Sequence, residues 1–153
     1  MNKKIVIGII IVILAVIGFL TLNELTDDNN GVKVGNTNFI LPDGYSVSKF
    51  IKLGDANITN GTNSIGIIER NGSNIQKYID DYVEKNNNRN YTTKINKVNT
   101  GNIEVYKSKI SENNETFHYW FINNDKVYEI FTWDGNNQTD DVVFDLIKST
   151  KIN

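Results

Sequence analysis

Residues 116–133 read T-F-H-Y-W-F-I-N-N-D-K-V-Y-E-I-F-T-W, two apolar runs with a polar N-N-D-K between them. Within the first run, Phe117, Tyr119 and Phe121 fall on one side of an extended chain and Trp120 and Ile122 on the other. A strand apolar on both faces belongs in the middle of a sheet that is covered on both sides. Residues 91–98 and 102–111 carry the same period of two. The short turns N-T-G-N, E-N-N-E and N-N-D-K then join four strands into an antiparallel meander. Glu129 shares a face with Val127, Phe131 and Trp133. If that face is covered, Glu129 needs a partner such as Lys107 or Lys109 on a neighbouring strand; otherwise it sits at an edge in water.

Before the meander, Ile75, Tyr78, Ile79, Tyr82 and Val83 form one apolar stripe at helical spacing, opposite Gln76, Lys77, Asp80, Asp81, Glu84 and Lys85. Ser73 with Gln76 fits an S-x-x-Q capping box, and Asn86, Asn87 and Asn88 end the helix. After the meander, residues 140–149 read as a second amphipathic helix that covers the sheet with Val142, Val143, Leu146 and Ile147; Thr139 or Asp140 caps it. At the start of the domain, Val32, Val34 and residues 38–41 lead into the turn Pro42-Asp43-Gly44, and residues 45–53 return as the second arm of a hairpin. The D-A-N-I-T-N-G-T-N stretch, residues 55–63, reads as a loop before a strand at 64–69.

The phrase F-I-L-P-D-G-Y (residues 39–45), the later K-V-Y-E-I strand (126–130) and the order hairpin, strand, helix, meander, helix resemble the PsbP and Mog1-like group. The likeness spans most of residues 32–153. It implies an α+β fold, an α/β/α sandwich whose central, mainly antiparallel sheet of about six strands is covered by helices. Members of the group differ in role: the photosynthetic ones support an oxygen-evolving manganese cluster, and the Mog1-like one binds a small GTPase. No binding residue of either maps onto this chain, so the resemblance implies a fold and not a function.

Ahead of that domain stands a basic end, residues 1–4, with Lys3 and Lys4, and then residues 5–22 without a charge. Eighteen residues at about 1.5 Å each give roughly 27 Å of helix, close to the ~30 Å hydrocarbon core. About fourteen large apolar side chains sum to something on the order of −6 kcal/mol for insertion. A cleaved signal peptide is the competing reading. The apolar run exceeds a signal core, and the exit Phe19, Leu20, Thr21, Leu22, Asn23 lacks small residues. The expectation is therefore one transmembrane helix, with membrane contact through residues 5–22, a tether at 23–31 and the domain at 32–153. Lys3 and Lys4 stay inside and Glu24, Asp27 and Asp28 lie outside, which puts the domain on the outer face of the cytoplasmic membrane. Gly8 and Gly18 do not have the spacing that packs two membrane helices together.

The remaining 130 or so residues suffice for one domain. A net charge of −2 with scattered lysines lacks the basic stripe of nucleic-acid binding. The absence of cysteine removes disulfides, thiolate metal sites and cysteine catalysis. Asparagine is abundant, about one residue in six, and N-x-S/T sequons occur at Asn57, Asn60, Asn71, Asn90, Asn114 and Asn137, all in or beside expected turns where a glycan fits.

His118, the only histidine, lies mid-strand, where catalysis would need Asp, Glu or Ser partners from elsewhere in the sheet; a hydrogen-bonded strand histidine beside Trp120 is the plainer reading. A single histidine cannot build the usual zinc site. Asp134, Asn136, Gln138 and Asp140 alternate like calcium ligands, but glycine falls second rather than sixth and Asp145 stands where a glutamate belongs, so a turn running into a helix cap is the default. No cofactor is implied. Tyr106, Tyr119, Trp120, Tyr128, Phe131 and Trp133 read as filling the two sides of one sheet, and only an exposed cluster would make a binding groove; of these Trp133, at a strand end beside Asp134 and Asn136, is the candidate for exposure and for a ligand or partner surface. The expected function is a noncatalytic extracytoplasmic binding module for a protein, envelope component or small ligand. A glycosylated structural surface protein is the alternative, and a hydrolase the third reading.

Overall fold

The computed structural model describes residues 30–48, 54–110, 116–133 and 137–150. In chain order they form β1 (Gly31–Val34), β2 (Thr37–Ile40), β3 (Ser46–Val47), β4 (Ala56–Thr59), β5 (Ser64–Arg70), α1 (Ile75–Asn87), β6 (Thr93–Thr100), β7 (Ile103–Ile110), β8 (Thr116–Asn123), β9 (Lys126–Thr132) and α2 (Asn137–Ser149). Strands β1 and β2 make a sheet of their own. The other seven run in the order β3-β4-β5-β9-β8-β7-β6, every neighbouring pair antiparallel.

The described residues are thus mainly β, a two-stranded and a seven-stranded sheet with two helices, rather than the expected α/β/α sandwich with a central sheet of about six strands. Two departures make the difference. The β1–β2 hairpin stands off as a second sheet and shares a face of the large sheet with α2: Val34 and Phe39 enter the same core as Val143, Leu146 and Ile147, and the Ile40 amide donates to Ser149 Oγ at 3.0 Å. Strand β4 also arises where a loop was expected, because Ile58, fully buried, pairs with Ile65. Among the described residues no helix is long and apolar enough to cross a membrane, so the described structure holds no counterpart of the expected single-pass architecture. Residues 5–22, on which that expectation was placed, lie outside the described residues, as do residues 23–29 of the tether.

The first hairpin turns at Gly35, not at Pro42-Asp43-Gly44. Gly35 has φ +57°, a left-handed conformation that glycine adopts without strain, and a Cβ there would meet only the end of the flexible Glu69 side chain, at 1.6 Å. Pro42 to Tyr45 instead forms a β-turn, closed by Tyr45 N–H on the Pro42 carbonyl at 3.0 Å, that passes the chain from the small sheet to the large one. The meander keeps its expected order. Its β8–β9 turn places Asn124 and Asp125 at φ +49° and +58°, the left-handed pair that a two-residue hairpin with native twist requires.

Helix α1 starts as expected but is capped differently. Asn74 Oδ1, not Ser73, accepts the Lys77 amide at 3.3 Å, while Gln76 turns outward to Asp80. Its stripe of Ile75, Tyr78, Ile79, Tyr82 and Val83 packs over Trp120, Val127, Ile95 and Tyr106. Helix α2 begins at Asn137, three residues before the expected start, and covers the opposite face.

Candidate functional site

Strand register decides which polar groups meet beneath α1. Glu129 lies opposite Trp120 on β8 and Ile68 on β5, and Phe131 lies opposite His118, which lies opposite Ser108 on β7. Directly opposed residues share a face, so Glu129, His118, Ser108 and Phe131 all stand on the side packed by α1. Arg70, at the end of β5, reaches diagonally into the same group.

Glu129 is 6 % exposed and its carboxylate is fully engaged. Oε1 lies 2.8 Å from His118 Nδ1, and Oε2 accepts Arg70 Nε at 2.9 Å and Nη2 at 2.5 Å. Burial alone would push this carboxyl pKa up. The His118 hydrogen bond and charge, joined by the Arg70 charge and hydrogen bond, outweigh it and hold the group below its ordinary value of 4.5. The His118 ring lies nearly parallel to both Trp120 and Phe131, 5.6 Å from each, with the Tyr82 ring 4.5 Å away. Phe131 in turn lies over Gly66, where a Cβ would come within 2.5 Å of Phe131 Cζ. The site depends on that glycine for the ring's position.

The partners expected for Glu129, Lys107 and Lys109, are on the other face. Lys107 is opposite Tyr119, and both bond Asp140 at the start of α2, Lys107 Nζ to Oδ2 and Tyr119 OH to Oδ1, each at 2.5 Å. Burial, the hydrogen bond to Asp140 and its negative charge drive the Tyr119 pKa up, keeping the phenol neutral. Asp140 is thereby occupied as a structural acceptor. Among the described residues no group of three or more His, Asp or Glu side chains is placed to hold a metal.

Ser108, His118 and Glu129 on consecutive strands have the residue order of a Ser-His-acid relay, but not its geometry. Ser108 is fully buried, and its Oγ lies near Tyr82 OH, as Asn86 Nδ2 does, without either approach reaching hydrogen-bond geometry. A nucleophile must hydrogen-bond its base and be open to a substrate, and Ser108, although opposite His118, is buried and makes no hydrogen bond to it. Burial pushes the Tyr82 hydroxyl pKa up, partly offset by nearby Ser108 and Asn86.

Trp133, just beyond β9, is 49 % exposed. Asp134, Asn136 and Asn114 lie outside the described residues. Asn60, Asn71 and Asn90 are exposed between elements. Asn57 is not in a turn: it is 7 % exposed inside β4, where no glycan fits without opening the sheet. Asn137 is the first residue of α2. An open hollow of ≈ 150 Å³ beside the start of α1 is lined by Ile75, Asn102, Ile103, Glu104, Tyr106 and Ile122.

Arg70 was missed by sequence reasoning. It lies 59 residues from Glu129, and only the β5–β9 pairing brings the two together. Compared with known proteins, the chain matches no family model. No curated protein matches it either.

Proposed function

We propose that the domain is a noncatalytic binding module whose contact surface is centred on Trp133. The observation that carries this reading is the contrast between the two tryptophans: Trp120 is fully buried, whereas Trp133 leaves half its surface open at the end of β9. Aromatic side chains supply large contact area at low entropic cost, which makes an exposed tryptophan at a strand end a natural anchor. The ion cluster beneath α1 fits the same reading, because Glu129 is saturated by its own neighbours and Ser108 is covered. A glycosylated structural surface protein is the second reading, and the exposed sequons Asn60, Asn71 and Asn90 favour it.

The test is capture from the native host with wild type and Trp133→Ala, followed by acrylamide quenching of the recovered complex. A bound partner should shield Trp133 and leave Trp120 unchanged, and Trp133→Ala should abolish capture while shifting stability by less than about 0.5 kcal/mol. Equal capture by the variant removes the Trp133 surface from the proposal. Occupied sequons with no partner favour the structural reading.

A further inference from the structure

The two edges of the seven-stranded sheet are unequal. On one side β3 is two residues long; on the other β6 runs for eight. Its pairing with β7 is unbroken from Thr93 opposite Ile110 to Thr100 opposite Ile103, with no bulge, and the chain's one proline is elsewhere. Edges are ordinarily blunted by shortness, proline, bulges or charge. The β3 edge uses shortness, and β6 relies on charge alone. Among the described residues no strand pairs with its outer side.

That charge has one sign. Lys94 and Lys97 are exposed, and β6 contains no acid. Three residues apart, they project to opposite faces of the sheet. Lys97 pairs with Glu104 at 2.6 Å, but both side chains are about half exposed, so the bond is readily exchanged with water or another carboxylate. Lys94 lies directly opposite Lys109, so two cations border this part of the edge.

From these features we infer that β6 accepts an extended acidic segment of another protein as an added antiparallel strand, with main-chain bonds supplying affinity and acids three residues apart answering Lys94 and Lys97. A second copy of this chain fits less well, because β6 against β6 gathers four lysines along one seam. This surface is separate from Trp133.

The probe is a synthetic peptide, T-E-V-T-E-V-T, added to the full chain and followed by fluorescence anisotropy and by amide shifts along β6. Its lysine counterpart should not bind. Charge reversal in Lys94→Glu/Lys97→Glu should weaken the acidic peptide about tenfold or more, the scale of two rim charges turned from attraction to repulsion, and should let the lysine peptide bind. The same acidic peptide, N-methylated along the edge that meets β6, should lose binding. Equal binding by the methylated peptide reduces the contact to unspecific charge and overturns strand addition. Concentration-dependent dimerisation that protects β6 amides without peptide assigns the edge to a second copy and overturns the acidic partner.

Discussion

The two faces of the large sheet are built on different principles. Beneath α2 and the β1–β2 hairpin the contacts are apolar and aromatic: Phe39, Phe121 and Tyr128 lie within 5.5–6.4 Å of one another, and the polar links from Lys107 and Tyr119 to Asp140 serve to dock the helix. Beneath α1 the fully covered apolar set is small, Ile79, Trp120 and Val127, and beside it an ionised carboxylate is held by an arginine and a histidine. One face is stabilised chiefly by area removed from water, and the other also by the pairing of a buried carboxylate with His118 and Arg70.

That difference is broken most severely at Phe121. Its truncation to alanine removes a ring wedged between Phe39 and Tyr128, and urea unfolding should show a loss of about 3–5 kcal/mol. Because the cavity opens in the shared core of both sheets, the β1–β2 hairpin and α2 should unfold together with the rest. A loss below about 1 kcal/mol would mean that this face collapses to fill the space, and the contrast with the α1 face would fail.

On the α1 face the comparable change is Glu129→Ala, which leaves Arg70 and His118 facing each other without an anion. Loss of one partner from a buried pair costs about 3–5 kcal/mol, and the lower end is expected here because Arg70 is one-third exposed and can turn to water. The pH dependence sharpens the point. The Glu129 pKa is lowered in the folded state, so its contribution is fully present above the ordinary carboxyl range and is lost as pH falls through the folded value. Wild type should therefore lose stability below about pH 4.5 along a steeper slope than Glu129→Gln. Parallel slopes would show that the carboxylate gains nothing from His118 and Arg70 on folding.

How far each face was legible follows from the distance over which its contacts are specified. The meander and α1 come from local periodicity, and β8 announced its two-sided burial through Phe117, Tyr119, Trp120 and Phe121. The β4 strand was hidden because Asn57 and Asn60 look like turn residues, although Ile58 needs a buried partner. The first hairpin was misplaced because Pro42-Asp43-Gly44 is the stronger turn signal, while Gly35 marks its turn only through a left-handed backbone. The need of Glu129 for a cation was legible, but its partner was not: parity alone does not say which lysine or arginine shares a face until strand register is known. Trp133 lies just beyond Thr132, the last residue of β9, so its exposure follows from where that strand stops.

The smallest effect is expected at the α1 cap, where it separates the faces without unfolding the molecule. Asn74 Oδ1 accepts the Lys77 amide, so Asn74→Ala leaves a first-turn donor unpaired and should cost about 1 kcal/mol. Ser73 contributes only its backbone carbonyl to the Ile75 amide, and Ser73→Ala should fall within about 0.5 kcal/mol of wild type. Hydrogen exchange distinguishes a local from a global consequence. Since 1 kcal/mol is a factor of about five in an opening equilibrium, α1 amides in Asn74→Ala should exchange about fivefold faster while α2 amides keep their wild-type rates. Acceleration confined to α1 would show that the helix over the ionic cluster opens independently of the aromatic core. Equal acceleration in both helices would mean that the two faces, despite their different chemistry, unfold as one cooperative unit.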